Sequence, residues 1–91
     1  MNNQNNNSNT ARKNSQVTYK IDHHLGVLST SETGWTCEVN LVSWNDRPKK
    51  LDIRDWNPNH TKMGRGVTLN GPEVAQLNTI LSTFNVAESG I

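Results

Sequence analysis

Hydrophobic and polar positions alternate along most of the chain from Val17 to Leu69, the two-residue period of a half-buried strand. In the first such stretch, Val17 to Ser29, Tyr19, Ile21, Leu25 and Val27 stand against Lys20, Asp22 and His24, and Gly26 marks a bulge or bend. Ser31, Glu32, Thr33 and Gly34 form a turn cluster, after which a second strand runs from Trp35 to about Asn45. Its odd positions (Trp35, Cys37, Val39, Leu41) are apolar, whereas its even positions (Thr36, Glu38, Asn40, Val42, Trp44) are mostly polar. Residues 45–48 turn the chain into a third strand, Lys49 to Trp56. There Leu51 and Ile53 point one way, and Lys50, Asp52, Arg54 and Trp56 the other. Residues 57–60 break that strand, and Val67, Thr68 and Leu69 read as a short fourth one after a loop through Met63, Gly64, Arg65 and Gly66.

The period then lengthens. Asn70 can cap a helix, Pro72 suits its first turn, and Glu73 is placed to close a capping box. Val74, Leu77, Ile80, Leu81 and Phe84 follow at helical spacing, so a helix is expected over 72–84. The fold class is α+β, a four-stranded antiparallel sheet followed by one C-terminal helix, in the order ββββα. The helix is expected to cover the apolar face carrying Val39, Leu41, Leu51 and Ile53, with Trp35 in the core. The other face stays open.

Composition sets the boundaries. Asn fills six of the first nine positions, and no apolar run accompanies them, so residues 1–16 are expected to be a disordered tail. Residues 17–86 form one domain, and 87–91 a flexible C-terminus. A domain that small buries only about 60% of its unfolded surface, and the helix stripe is wider than one small sheet needs, so a homodimer is expected. No apolar segment follows Met1 or approaches membrane-spanning length, which points to a cytoplasmic protein with no membrane partner.

The net charge is only +1, yet residues 47–65 hold six cations (Arg47, Lys49, Lys50, Arg54, Lys62, Arg65) against Asp52 and Asp55, a local +4. By alternation the open face displays Lys20, His24, Thr36, Trp44, Lys50, Arg54 and Trp56. Cations attract phosphate, and exposed rings give unpaired bases a surface on which to stack, which duplex bases cannot use. The residues alone leave two readings of Trp44 and Trp56, packing or ligand platform. On the second, replacing both by alanine removes binding and spares the fold.

Other chemistry is poorly supplied. His23 and His24 are neighbours on a strand and point to opposite faces, with no Cys or acidic pair at ligand spacing, so neither metal nor cofactor is expected. The lone Cys37 reads as a small buried hydrophobe. Asp52 and Asp55 fall on opposite faces, so ion pairs to Arg54 or Lys50 are expected rather than a carboxylate dyad. Nothing supplies an activated nucleophile or a poised acid–base pair, which argues against an enzyme.

The runs Leu51–Trp56 and Gly64–Leu69, joined by a loop and leading into a capped helix, resemble the positive-cofactor-four (p15) transcriptional coactivator family. With Val42–Asp46 and Asn57–His60 added, the chain is similar to that family's small bacterial YdbC-like branch, over residues 19 to 84. The resemblance implies homodimers paired through their helices, with curved sheets holding single-stranded DNA with little sequence preference. It implies a role in transcription regulation, replication or repair, near the nucleoid and the transcription or replication machinery. It makes Trp44 and Trp56 the base-stacking rings and Arg54 the phosphate or base contact, with Lys50, Lys62 and Arg65 beside them. Lys20 and Thr36 enter the site from alternation alone. An RNA-binding or a protein-interaction module using the same sheet face is the alternative.

Overall fold

The structure, a computed structural model, describes residues 17–91; the tail expected over 1–16 lies outside the described residues. Four strands, β1 (Tyr19–Thr30), β2 (Thr36–Trp44), β3 (Lys50–Trp56) and β4 (Met63–Leu69), form one antiparallel sheet in sequence order. Helix α1 (Gly71–Ser82) follows, and a single further turn, α2 (Val86–Ser89), runs from the last residue of the expected domain into the segment expected to be flexible. The ββββα order is as the periodicity predicts. β4 begins four residues earlier than expected, because the glycines at 64 and 66 mask its strand signal.

Local chemistry fixes the joints. Gly34 closes the first turn at φ 89°, a left-handed conformation that favours glycine, with its N–H donating to Ser31 O at 3.0 Å. Asn45 and Asp46 both take positive φ (51° and 62°), and Arg47 N–H donates to Trp44 O at 2.9 Å. Two such residues match the right-handed twist of a tight hairpin. Asn70 caps α1 through a complete capping box with Glu73, at 2.9 Å in each direction.

Three register shifts interrupt the pairing of β1 with β2, at Ile21/His23, His24/Gly26 and Val27/Ser29. Each adds a residue to one strand and bends it. The sheet therefore curls strongly, bringing Tyr19, at the start of β1, against Trp56, at the end of β3, with ring centroids 5.4 Å apart. The interior of that curl is the core of the fold. Val42 and Trp56 are fully buried there beside Asn40, Asp52 and Glu38.

This corrects two expectations. The mixed polar face of β2 and β3 is the more deeply buried one, because the sheet closes around it. The helix-bearing face is only partly covered: Val39, Leu41, Leu51 and Ile53 are half-buried, α1 buries none of its own residues, and it meets the sheet chiefly along β3. Ile80, Leu81 and Phe84 remain exposed. Trp35, assigned to the core, is half-buried on this outer side, next to Gly64.

Candidate nucleic-acid interface

Directly opposed residues in an antiparallel pair share a face, so the register shows which side chains meet on the concave side. Trp44 pairs with Tyr19, Val42 with Ile21 and Lys50, Asn40 with His24 and Asp52, Glu38 with Arg54, and Arg54 with Gly66. Lys20 pairs with Ser43 and thus lies on the opposite, outer face, contrary to the simple alternation. The extra residue at Asp22 shifts the phase of β1, which is how Tyr19 and His24 come to share a side.

At one end of the concave face a groove of about 460 Å³ opens between Trp44, Arg47, Lys50, Arg54, Met63 and Thr68. Arg54 is its centre. Its Nε donates to both carboxylate oxygens of Asp52, at 2.8 and 3.0 Å, and its Nη1 donates to Gly64 O at 3.3 Å. Its Cζ sits 4.9 Å from the Trp44 ring centroid, within cation–π range. Nη2 has no protein partner among the described residues, so an arginine held rigid on one edge keeps donors for a ligand on the other. Gly66 makes room for this arrangement. A Cβ there would fall 2.6 Å from Ile53 O and closer still to Arg54 Cβ, so no larger residue fits beneath the Arg54 stem.

Trp56 does not stand in the groove. It is 0% exposed, stacked on His60 (centroids 5.6 Å, interplanar angle 30°) and tilted against Tyr19. The expectation of an open ring is corrected for a physical reason: the curl of the sheet and the 57–62 loop close over it. Asn57 ties that loop down, accepting from Lys62 N–H at 2.8 Å and donating from its side chain to Thr61 Oγ1 at 2.9 Å. Trp44 keeps part of its surface, with Tyr19 at 5.8 Å on one side. Both indole N–H groups are buried without an acceptor among the described residues.

Of the other expected site residues, Lys50 lines the groove. Thr36 lies beyond it, its hydroxyl donating to Glu38 Oε2 at 2.5 Å. Lys62 and Arg65 are exposed, on the loop and on β4, and do not line the groove. Tyr19 and His60 were not expected at the site, since a bulge hid the phase of the first and a loop has no period to reveal the second. Lys49, outside the groove, is engaged by Asp22 at 3.0 Å, and this partner lowers the Asp22 pKa through its hydrogen bond and charge.

A second polar cluster occupies the concave face further along. Burial by itself would push the Glu38 carboxyl up. Hydrogen bonds from Thr36, His60 (2.7 Å) and Asn40 (3.3 Å) outweigh it and hold the pKa below the ordinary 4.5. A depressed folded pKa adds stability that is complete above the unfolded value and lost as pH falls through the folded one. The melting temperature is therefore expected to drop more steeply below pH 4.5 in the wild type than in Glu38→Gln, which thermal melts across that range will measure. On the outer face, burial first and then the charge of Asp55 push the Cys37 thiol up, so the cysteine is a poor nucleophile. Among the described residues no group of three or more His, Cys, Asp or Glu is placed to hold a metal ion, and no helix is long and apolar enough to cross a membrane.

Residues 31–80 match the sequence model of the family described as Transcriptional Coactivator p15 (PC4). The chain is also similar to an uncharacterized protein of Treponema pallidum (strain Nichols), 44% identical over 68 residues that span 75% of this chain and 80% of the relative.

Proposed function

Because the chain belongs to the transcriptional coactivator p15 (PC4) family, we propose that it is a non-enzymatic protein that holds single-stranded DNA along the concave face of its sheet. The observation that carries this reading is the Trp44–Arg54 pair: a half-open indole beside a guanidinium whose Nη2 has no partner among the described residues, flanked by the cations Arg47 and Lys50. Unpaired bases stack on such a ring, each contributing roughly 1–3 kcal/mol, and the cations engage the phosphates. A duplex does not present exposed base faces to such a ring. Preference among sequences is small on this reading, because stacking and phosphate contact are common to all bases. The family's description as a transcriptional coactivator supports work in transcription regulation, with replication or repair as further settings for a single-strand binder, and a relative in a bacterium fits a small bacterial branch of the family.

Equilibrium titration of the full chain with dT, duplex and rU oligomers of equal length, at two salt concentrations, tests the proposal through tryptophan fluorescence. Binding to dT well above duplex, weakening with salt as counterions are released, is the expected result. Equal binding to duplex would sink the reading, and a clear preference for rU would redirect it to RNA.

The homodimer belongs to the same proposal. Ile80, Leu81 and Phe84 on or just after α1, and Val67 on β4, are large apolar residues left open in the protomer, and the half-covered outer face is a surface that a second copy can close. Sedimentation at micromolar concentration is expected to give about twice the chain mass of 10.2 kDa, and a clean monomer would contradict it.

A further inference from the structure

A recess of about 200 Å³ on the concave face, lined by Ile21, His24, Glu38, Asn40 and His60, is not used by the groove at Trp44 and Arg54. Its floor is a fixed polar network. Glu38, 4% exposed, accepts at Oε2 from Thr36 and from His60 Nε2, and at Oε1 from Asn40 Nδ2. His24 Nδ1 lies 2.7 Å from Asn40 Oδ1 and 3.6 Å from Glu38 Oε1. Because Asn40 spends its amide N–H on the carboxylate, its oxygen accepts from His24, so in both imidazoles the nitrogen facing the floor is the donor. A carboxylate offers about four lone-pair sites; among the described residues two are filled at Oε2 and one at Oε1, leaving one at Oε1.

We propose that this recess is a second subsite of the strand-binding face, one that takes a single unpaired nucleobase carrying an amino group. The inference rests on the single-strand reading above and narrows it. A buried carboxylate repels phosphate, so the part of the strand admitted here is a base. The His60 ring, continuing the stack on Trp56 and itself part-exposed, supplies a flat wall, and His24 supplies a polar edge at the mouth. The remaining Oε1 lone pair accepts from an exocyclic amino group, as carboxylates accept from cytosine N4. Thymine presents a carbonyl at that position and meets oxygen with oxygen. Stacking along the rest of the groove stays indifferent to sequence, so the preference is confined to one nucleotide of the bound strand.

The test compares an all-dT oligomer with the same oligomer carrying one central dC, each titrated against the full chain and against Glu38→Gln. For the wild type the single dC is expected to tighten binding about tenfold, the size of one hydrogen bond to a charged group, and in Glu38→Gln the ratio is expected to fall towards one. The His24 and His60 ring resonances of the wild type, followed by NMR, should move more with the dC oligomer than with dT, a readout that does not need the variant to fold. Equal affinity for the two oligomers overturns the subsite alone. A preference that survives in Glu38→Gln overturns it as well. Binding of neither oligomer overturns the single-strand reading and the subsite together.

Discussion

Trp56→Ala is expected to destabilise the fold by about 3–5 kcal/mol, the usual cost of truncating a buried tryptophan. The ring is fully buried and is the largest such side chain, filling the hollow beneath Tyr19 and His60. A small domain commonly has only about 5–15 kcal/mol in total, so the variant should lose a large share of its folded population under mild denaturant. Urea unfolding followed by circular dichroism measures this directly. A midpoint close to the wild type would show that the concave hollow is not the core. The alternation of β3 alone suggests the opposite outcome, lost binding with the fold intact, because it treats an even position beside Arg54 as solvent-facing.

Arg54→Ala is expected to cost about 3–5 kcal/mol for a different reason. Asp52 is 0% exposed and takes both of its close contacts from the Arg54 Nε, so deleting the guanidinium strands a buried carboxylate. Arg54→Met combined with Asp52→Leu should recover most of that loss, since removing both charges leaves none unpaired. It should not recover single-strand binding, because the guanidinium and with it the cation over Trp44 are gone. Denaturant midpoints and oligo-dT titrations on the same two proteins separate the structural share of Arg54 from its share in the ligand.

These two residues show where the sequence is legible and where it is not. The order ββββα and the cap at Asn70 can be read in advance because they rest on local chemistry: period, turn residues and a capping box within four positions. The gathering of Trp44, Arg54 and Lys50 around one groove follows from alternation on β2 and β3, which pair without a register shift. The phase of β1 does not follow. Its extra residue at Asp22 sends Lys20 outward and Tyr19 inward, and nothing local in that stretch announces the bulge. The depth of Trp56 is less legible still, since it comes from the curl that brings Tyr19 on β1 and His60 in the 57–62 loop over one ring. Apolar patterning also misjudges which face is covered. The outer face is the more apolar, yet within the chain α1 covers it chiefly along β3.

If a single strand lies on the concave face, against Trp44 and Arg54, an NMR titration of the full chain with a dT oligomer will register it there. The resonances to follow are the Trp44 indole N–H and the Arg54 Nε–H together with the backbone amides of Lys20, His23 and α1. Large, saturable shifts are expected for Trp44 and Arg54 and small ones on the outer face. Shifts concentrated on α1 and the Lys20 side, with Trp44 and Arg54 unmoved, would contradict that placement of the strand.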